Sequence, residues 1–512
     1  MALALLFAAT LQAAAPAPMP GCQAALGPHY GGTEEAALPD RVDGATISGR
    51  DALIALRAGR GDALITIAGG NFAGADLRGA ALHNICFLDT NFAGADMRGL
   101  RAAGIGFVRG DLSGANLAGA HLPRALLRQA NLKDVDASGA DLSGGRMDGG
   151  WDASVENFRL DRADLSGFRF DCGISLDDGC PLQGEIRLSG ANLTGAALSN
   201  YNRLASWGGA RIDRTEVDLT QLDELAAADI AGTIMVRGGD AVVALSGAEL
   251  RAMLPHLSFA GEAARPSFDC ARAASPIELL ICRPDGGRLR ALDRAVAGLY
   301  REAGPGAGAS QSAWLRERDR CPADDVWCVE QSYQRRKAAL VARIGPPAWA
   351  RPGAAALFVA PPVAFDEAFR AGPLYARLVP VIIGGGWSHA VVRVNPNGTI
   401  DATGGAVGAN AHSCTLGGEG LRFDPVTGWY SGPQRSGADV PLPWRTRPMP
   451  VLLLWGERAE VYENGRSGPG GEEGDPRPSD YASCGARAAF SEMVRMPVSA
   501  AEIARLEQGM RQ

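Results

Sequence analysis

The chain has 512 residues, too many for one ordinary domain, so three or more units are expected. Its composition is globular, 46% hydrophobic and 21% charged. The formal charge of −7 is unevenly placed, net −9 over residues 1–266, +3 over 267–344 and −1 over the remainder, and no nucleic-acid partner is expected.

The start, residues 1–15, carries an apolar run from Ala2 to Leu11 followed by Ala13, Ala14, Ala15 and Pro16. This reads as a secretory signal with a small-residue cleavage site, although a basic leading segment is missing. The run is too short to span a bilayer, and no later stretch qualifies. Ten cysteines, an even number, agree with export to a periplasmic or secreted location. Cys22 is read first as a disulfide or free thiol and only after that as a lipoprotein anchor. Residues 16–62 read as linker and cap. Within them Asp51 to Gly59 is predicted as a short helix closing the open end of a coil that begins near residue 63.

From Ile67 every fifth residue is apolar, through Phe72, Leu77, Leu82 and Phe87 to Met147, seventeen positions in succession. By chance that is roughly one in 10⁵, since about half of all positions are apolar. A period of five suits neither helix nor strand; it suits a coil that bends every five residues and buries its core by stacking. The register breaks after Met147 and again after Phe170. Loop insertions are therefore expected near 149–159 and 171–187, the second able to be closed by Cys172 and Cys180. Later rungs run to about residue 220. Residues 221–266 read as a linker with a helical segment.

The units Ala75-Asp76-Leu77-Arg78-Gly79 and Ala115-Asn116-Leu117-Ala118-Gly119 resemble the pentapeptide-repeat family. The resemblance implies a right-handed quadrilateral β-helix over 63–220, four pentapeptides per coil, and says little about activity.

Residues 267–344 change character. Ser275-Pro276-Ile277-Glu278 is a capping box with Pro at the first helical position. Leu289, Leu292, Val296 and Leu299 recur at helical spacing, and Val326, Val329, Tyr333 and Leu340 mark a last helix. Short helices with Cys270, Cys282, Cys321 and Cys328 make a small stapled α-helical domain, whose pairing the sequence does not choose. Phe268-Asp269-Cys270, Trp314-Leu315, Arg318-Asp319, Cys321, Cys328 and Tyr333 resemble the LprI-type lysozyme-inhibitor-like domain. That resemblance offers Asp269, Trp314 and Arg318 as partner contacts. Read one at a time, each is better placed as core or as a structural pair.

Residues 345–512 are rich in Gly and Pro, with β-like runs at Leu378–Ile383, Ala390–Val394 and Val451–Trp455, and read as an antiparallel β domain. His412-Ser413-Cys414 and Cys484-Gly485-Ala486-Arg487 resemble the β domain that follows LprI-type helices, which makes Cys414–Cys484 the implied bridge. His389, His412 and Cys414 are the best metal candidates, but a disulfide is preferred. No phosphate loop, serine-hydrolase elbow or His-Glu-x-x-His occurs, so no cofactor, metal or catalytic residue is assigned.

The resulting expectation is an exported, non-enzymatic binding protein. Its coil is a scaffold, and residues 267–512 inhibit lysozyme or another cell-wall lytic enzyme, a muramidase-like partner. The alternatives are an acidic DNA mimic acting on gyrase, as the first resemblance implies, and an envelope enzyme with an unrecognised site in 345–512.

Overall fold

The computed structural model describes residues 21–26, 38–149, 154–171, 186–198, 204–205, 207–222, 224–259, 265–284, 286–407, 413–433, 448–462, 481–484 and 489–510. The chain rises through the coil in parallel register. Ile67 lies beside Phe87, Phe87 beside Phe107, Phe107 beside Leu127 and Leu127 beside Met147. Twenty residues therefore make one turn, four of the five-residue steps. The apolar position of each step points inward, and Phe72, Leu77, Leu82, Phe92, Met97 and Leu112 are all buried. Each such side chain contributes roughly 1.5–3 kcal/mol relative to exposure. Four phenylalanines stack through the first coils, with centroids 5.2 Å apart for Phe72–Phe92 and 5.8 Å for Phe87–Phe107.

The polar position before each inward residue has a local purpose. The side-chain oxygens of Asn91, Asp111, Asn116, Asp136 and Asp141 accept from the backbone N–H two residues on, at 2.9–3.0 Å. Asp and Asn thus form the corner themselves. Gly79 completes such a corner at φ 61°, a conformation other residues adopt only under strain.

Bridges between coils are spaced 20 residues apart as far as His121 and Asp141, then 23 at Asn131–Ser154, 28 at Asp164–Asn192 and 19 at Asn192–Arg211. The two larger offsets bracket the expected insertions. Most of their residues, including Cys172 and Cys180, lie outside the described segments.

Both ends of the coil differ from expectation. At the start, Arg41–Asp43 forms an extra parallel rung on Thr66–Ala68 instead of loose linker. Helix Gly49–Gly59 covers the end, with Leu53 fully buried against Ile65 and Ile67. Its Arg57 donates to the carbonyls of His83 (2.9 Å), Asn84 (3.2 Å) and Gly61. At the far end the solenoid continues past 220. Thr215–Asp218 pairs in parallel with Ile234–Arg237, and an antiparallel strand, Ala241–Ser246, terminates it. Within 221–266, helix Gly247–Met253 is the expected helical segment, while strands Thr233–Gly238, Ala241–Ser246 and Leu257–Phe259 stand where linker was expected.

The flank of the coil carries a second departure. Cys86, Leu88, Val108 and Leu126 point outward yet are buried, because helix Cys22–Leu26 and Leu38 lie over them. Cys22 is bonded to Cys86, so its sulfur is in a disulfide and unavailable for a lipid.

Beyond the solenoid, eight antiparallel strands close a barrel. In spatial order they are Ile400–Val407, Ser388–Val394, Ala355–Ala360, Met493–Arg495, Arg458–Val461, Met449–Trp455, Trp429–Gly432 and Ser413–Phe423, which returns to the first. Strand residues alternate: Ala356, Phe358 and Ala360 face the barrel interior, while Leu357 and Val359 face outward into the solenoid's core. The apolar run Leu378–Ile383, expected as strand, lies in helix Pro373–Gly384. Gly372-Pro373 starts it and Gly384-Gly385 stops it, and Leu378, Val379, Val381 and Ile382 are all buried, which hides the amphipathic period. This helix packs on the terminal hairpin at backbone contact. A Cβ on Gly238 would sit 2.0 Å from the Val381 carbonyl oxygen. One apolar core therefore runs from the coil through this helix to the outside of the barrel.

Candidate binding site on the helical unit

Four helices, Pro276–Ile281, Gly287–Ala303, Gly308–Arg318 and Val326–Ile344, make the unit between solenoid end and barrel. Ser275 caps the first: its hydroxyl accepts from the Glu278 N–H at 3.1 Å, and the Glu278 carboxylate accepts back from Ser275 at 3.0 Å. Those backbone donors, from Ser275 and Ala274, hold the Glu278 carboxyl below its ordinary range. Cys270–Cys282 and Cys321–Cys328 are bonded, closing two short loops. In the barrel Cys414–Cys484 bridges directly opposed residues of neighbouring strands.

Two of the three residues offered as partner contacts are interior. Trp314 and Arg318 are 8% and 5% exposed. Trp314 donates to the Ser332 hydroxyl at 3.0 Å and meets the Tyr333 ring edge-on at 5.1 Å. Arg318 donates to the Tyr333 hydroxyl at 3.0 Å and to Asp319 at 2.6 Å. Tyr333 in turn donates to Asp293 at 2.8 Å, and Asp293 also accepts from the Ser267 N–H. Burial, then the charge of Asp293, drives the Tyr333 pKa far upward, so the phenol stays a donor. Both residues lie where they join helices, and neither offers a surface to a partner. Asp269 remains accessible, but it is engaged as a cap, accepting from the Ala271 N–H at 3.0 Å.

Other residues occupy the surface. Leu279, Val326 and Trp327 are 55%, 44% and 48% exposed. Each lies within three residues of a disulfide cysteine, Cys282 or Cys328, so the backbone that carries them is fixed. Sequence reasoning missed them, since period alone assigns Val326 to the core. The signal lay in the adjoining Val326-Trp327 pair, only one of which a helix can turn inward.

The histidine–cysteine candidate does not assemble. Cys414 is bonded to Cys484, His412 lies outside the described residues, and His389 sits in a barrel strand where burial lowers its pKa. Among the described residues no group of three or more His, Cys, Asp or Glu side chains is placed to hold a metal, and no helix is long and apolar enough to cross a membrane.

Residues 111–149 match the family model described as Pentapeptide repeats, in 8 copies. Among solved structures, the chain is similar to a pentapeptide repeat protein, Rfr23, from the cyanobacterium Cyanothece 51142, with 20% identity over 21% of this chain and 82% of that one and a TM-score of 0.18. It is also similar to a trypsin-treated form of QnrB1, a plasmid-mediated fluoroquinolone resistance protein, at 16% identity over 38% and 87%, TM-score 0.22. A third is HetL, a pentapeptide repeat protein involved in heterocyst differentiation regulation in the cyanobacterium Nostoc sp. strain PCC 7120, at 21% identity over 33% and 81%, TM-score 0.12. No curated protein matches the chain. The coil thus consists of pentapeptide repeats in its regular part, as its own twenty-residue register requires.

Proposed function

We propose that this chain is a non-enzymatic binding protein of an oxidising compartment, with the solenoid as scaffold and the helical unit and barrel as its binding head. The carrying observation is the exposed Leu279, Val326 and Trp327 beside two disulfides. Solvent-facing aromatic and aliphatic side chains on a fixed backbone are the composition of an interface anchor, since little ordering entropy is lost on docking. A cell-wall lytic enzyme of the muramidase type is the partner proposed from the LprI-type motifs. The net charge of +3 on residues 267–344 gives a basic muramidase no electrostatic steering toward this unit, so the exposed apolar side chains have to carry the affinity.

A turbidity assay of cell-wall lysis by lysozyme, with the oxidised full chain titrated in, tests this. Lysis slows in proportion to occupancy, and Trp327→Ser weakens inhibition by roughly thirtyfold, the size of one interface hot spot. Unchanged lysis at saturating protein removes the inhibitor reading.

The second reading, an acidic coil acting on gyrase, draws support from the outward polar ladder Asp76, Asp96, Asn116 and Asp136. The Cys22–Cys86 bond on the coil itself weighs against a reducing cytosol. A supercoiling assay with reduced protein separates the two.

A further inference from the structure

A cleft of about 1210 Å³ opens where the solenoid's end, the helical unit and the barrel meet. Its walls come from residues 255–257 at the solenoid's end, Arg265 and Arg294 of the helical unit, residues 364–375, and the barrel's 457–458 and 495–498. Three of its arginines, Arg265, Arg294 and Arg370, meet no carboxylate within ion-pairing distance among the described residues. Two of these are already oriented. Arg294 donates to the Arg265 carbonyl at 2.9 Å, and the Arg370 guanidinium lies 6.0 Å from the centroid of the buried Tyr375 ring. A guanidinium fork held in place loses little entropy when it takes a carboxylate or phosphate two-pronged.

Of the other charges in the cleft, Arg458 pairs with Glu492, and Glu367 meets no cation within ion-pairing distance among the described residues. His256 and Asp366 meet at 2.7 Å, with the imidazole stacked on Phe369, and Arg495 pairs with Glu457 at 3.1 Å. The carboxylates of Asp366, Glu367 and Glu457 thus line the same cleft as the arginines. A densely charged polyphosphate would meet these carboxylates at close range. An acidic peptide differs in carrying, between its carboxylates, amide N–H groups that can donate to them. The size also exceeds what a single small ion needs and reaches that of pockets for extended ligands.

We propose that this cleft binds an acidic peptide segment, with Arg265, Arg294 and Arg370 taking its carboxylates. The cleft lining does not include Leu279, Val326 or Trp327, and the proposal does not depend on the lytic-enzyme reading.

The test uses the oxidised full chain and a short fluorescein-labelled peptide of alternating Glu and Gly, titrated by anisotropy at low salt. The wild type binds. Arg294→Gln combined with Arg370→Gln weakens binding at least about tenfold, given charge-assisted bidentate contacts, while Arg101→Gln on the coil surface leaves it unchanged. Near-UV circular dichroism checks that the double variant is folded. Should it not fold, Arg265→Gln, at an exposed position, still weakens binding by about threefold. No binding by the wild type, equal binding by folded cleft variants, or tighter binding of a polyphosphate chain than of the peptide each overturns the proposal.

Discussion

The solenoid and the helical unit solve the same problem in opposite ways. The coil repeats one small solution: an inward Leu or Phe, an Asp or Asn corner, and a parallel rung every twenty residues. No single rung decides the fold. The helical unit has too few residues for that, and its stability rests on single irreplaceable groups. Two disulfides close it, a chain of Arg318, Tyr333 and Asp293 ties its helices, and Lys337 anchors it to the barrel. Lys337 is 1% exposed, bonded to Glu460 and 4.9 Å from the Trp455 ring centroid. Distributed stability tolerates variation, whereas concentrated stability fixes a surface in place, which suits a binding head.

The sharpest way to break this contrast is Glu460→Ala. It leaves the Lys337 ammonium buried and unpaired, at an expected cost of about 3–5 kcal/mol. Thermal unfolding followed at tryptophan should show the head melting early. A loss below about 1 kcal/mol would deny that the stability is concentrated there.

Leu117→Ala probes the other side. It removes a core side chain, for about 2–5 kcal/mol locally. In a stack of near-neighbour contacts the damage should stay within adjoining coils. Hydrogen exchange should rise around residues 97–137 while the amides of Val326–Ile344 keep their protection. Exchange rising equally in both regions would merge the two into one cooperative unit.

The smallest effect belongs to the capping box. Glu278 has a depressed pKa in the folded state, so its contribution is fully present above its unfolded pKa and lost as pH falls through the folded one. Glu278→Gln should therefore cost about 1 kcal/mol or less at neutral pH, and nothing once acid has protonated the wild-type carboxyl. Denaturant midpoints at neutral and acidic pH check this. A constant difference between them would remove the ionic part of the cap.

The coil is legible in the sequence because its signal is local: five residues carry the whole rule, and Ile67 to Met147 repeats it. The helix boundaries near Ser275 and Gly304 are legible for the same reason. What the sequence hides depends on contacts across long separations. Cys22 and Cys86 are 64 residues apart, and nothing near either one names the other. A clue lies in Leu88, Val108 and Leu126, apolar residues beside the inward positions, which a fully wet flank would not carry. Leu378–Ile383 reads as strand because a segment buried on all sides shows no period to distinguish strand from helix. Trp314 and Arg318 stand out by residue type, and only packing shows them to be mortar. Trp327 stands out less and lies on the surface.

The bond between Cys22 and Cys86 also fixes an attachment point. Gly21 lies so close to the coil that a Cβ on it would come within 2.9 Å of Gly104, and Cys22 donates to the Gly104 carbonyl at 3.1 Å. The chain thus joins the rod on its flank, among the early coils, and not at its capped tip.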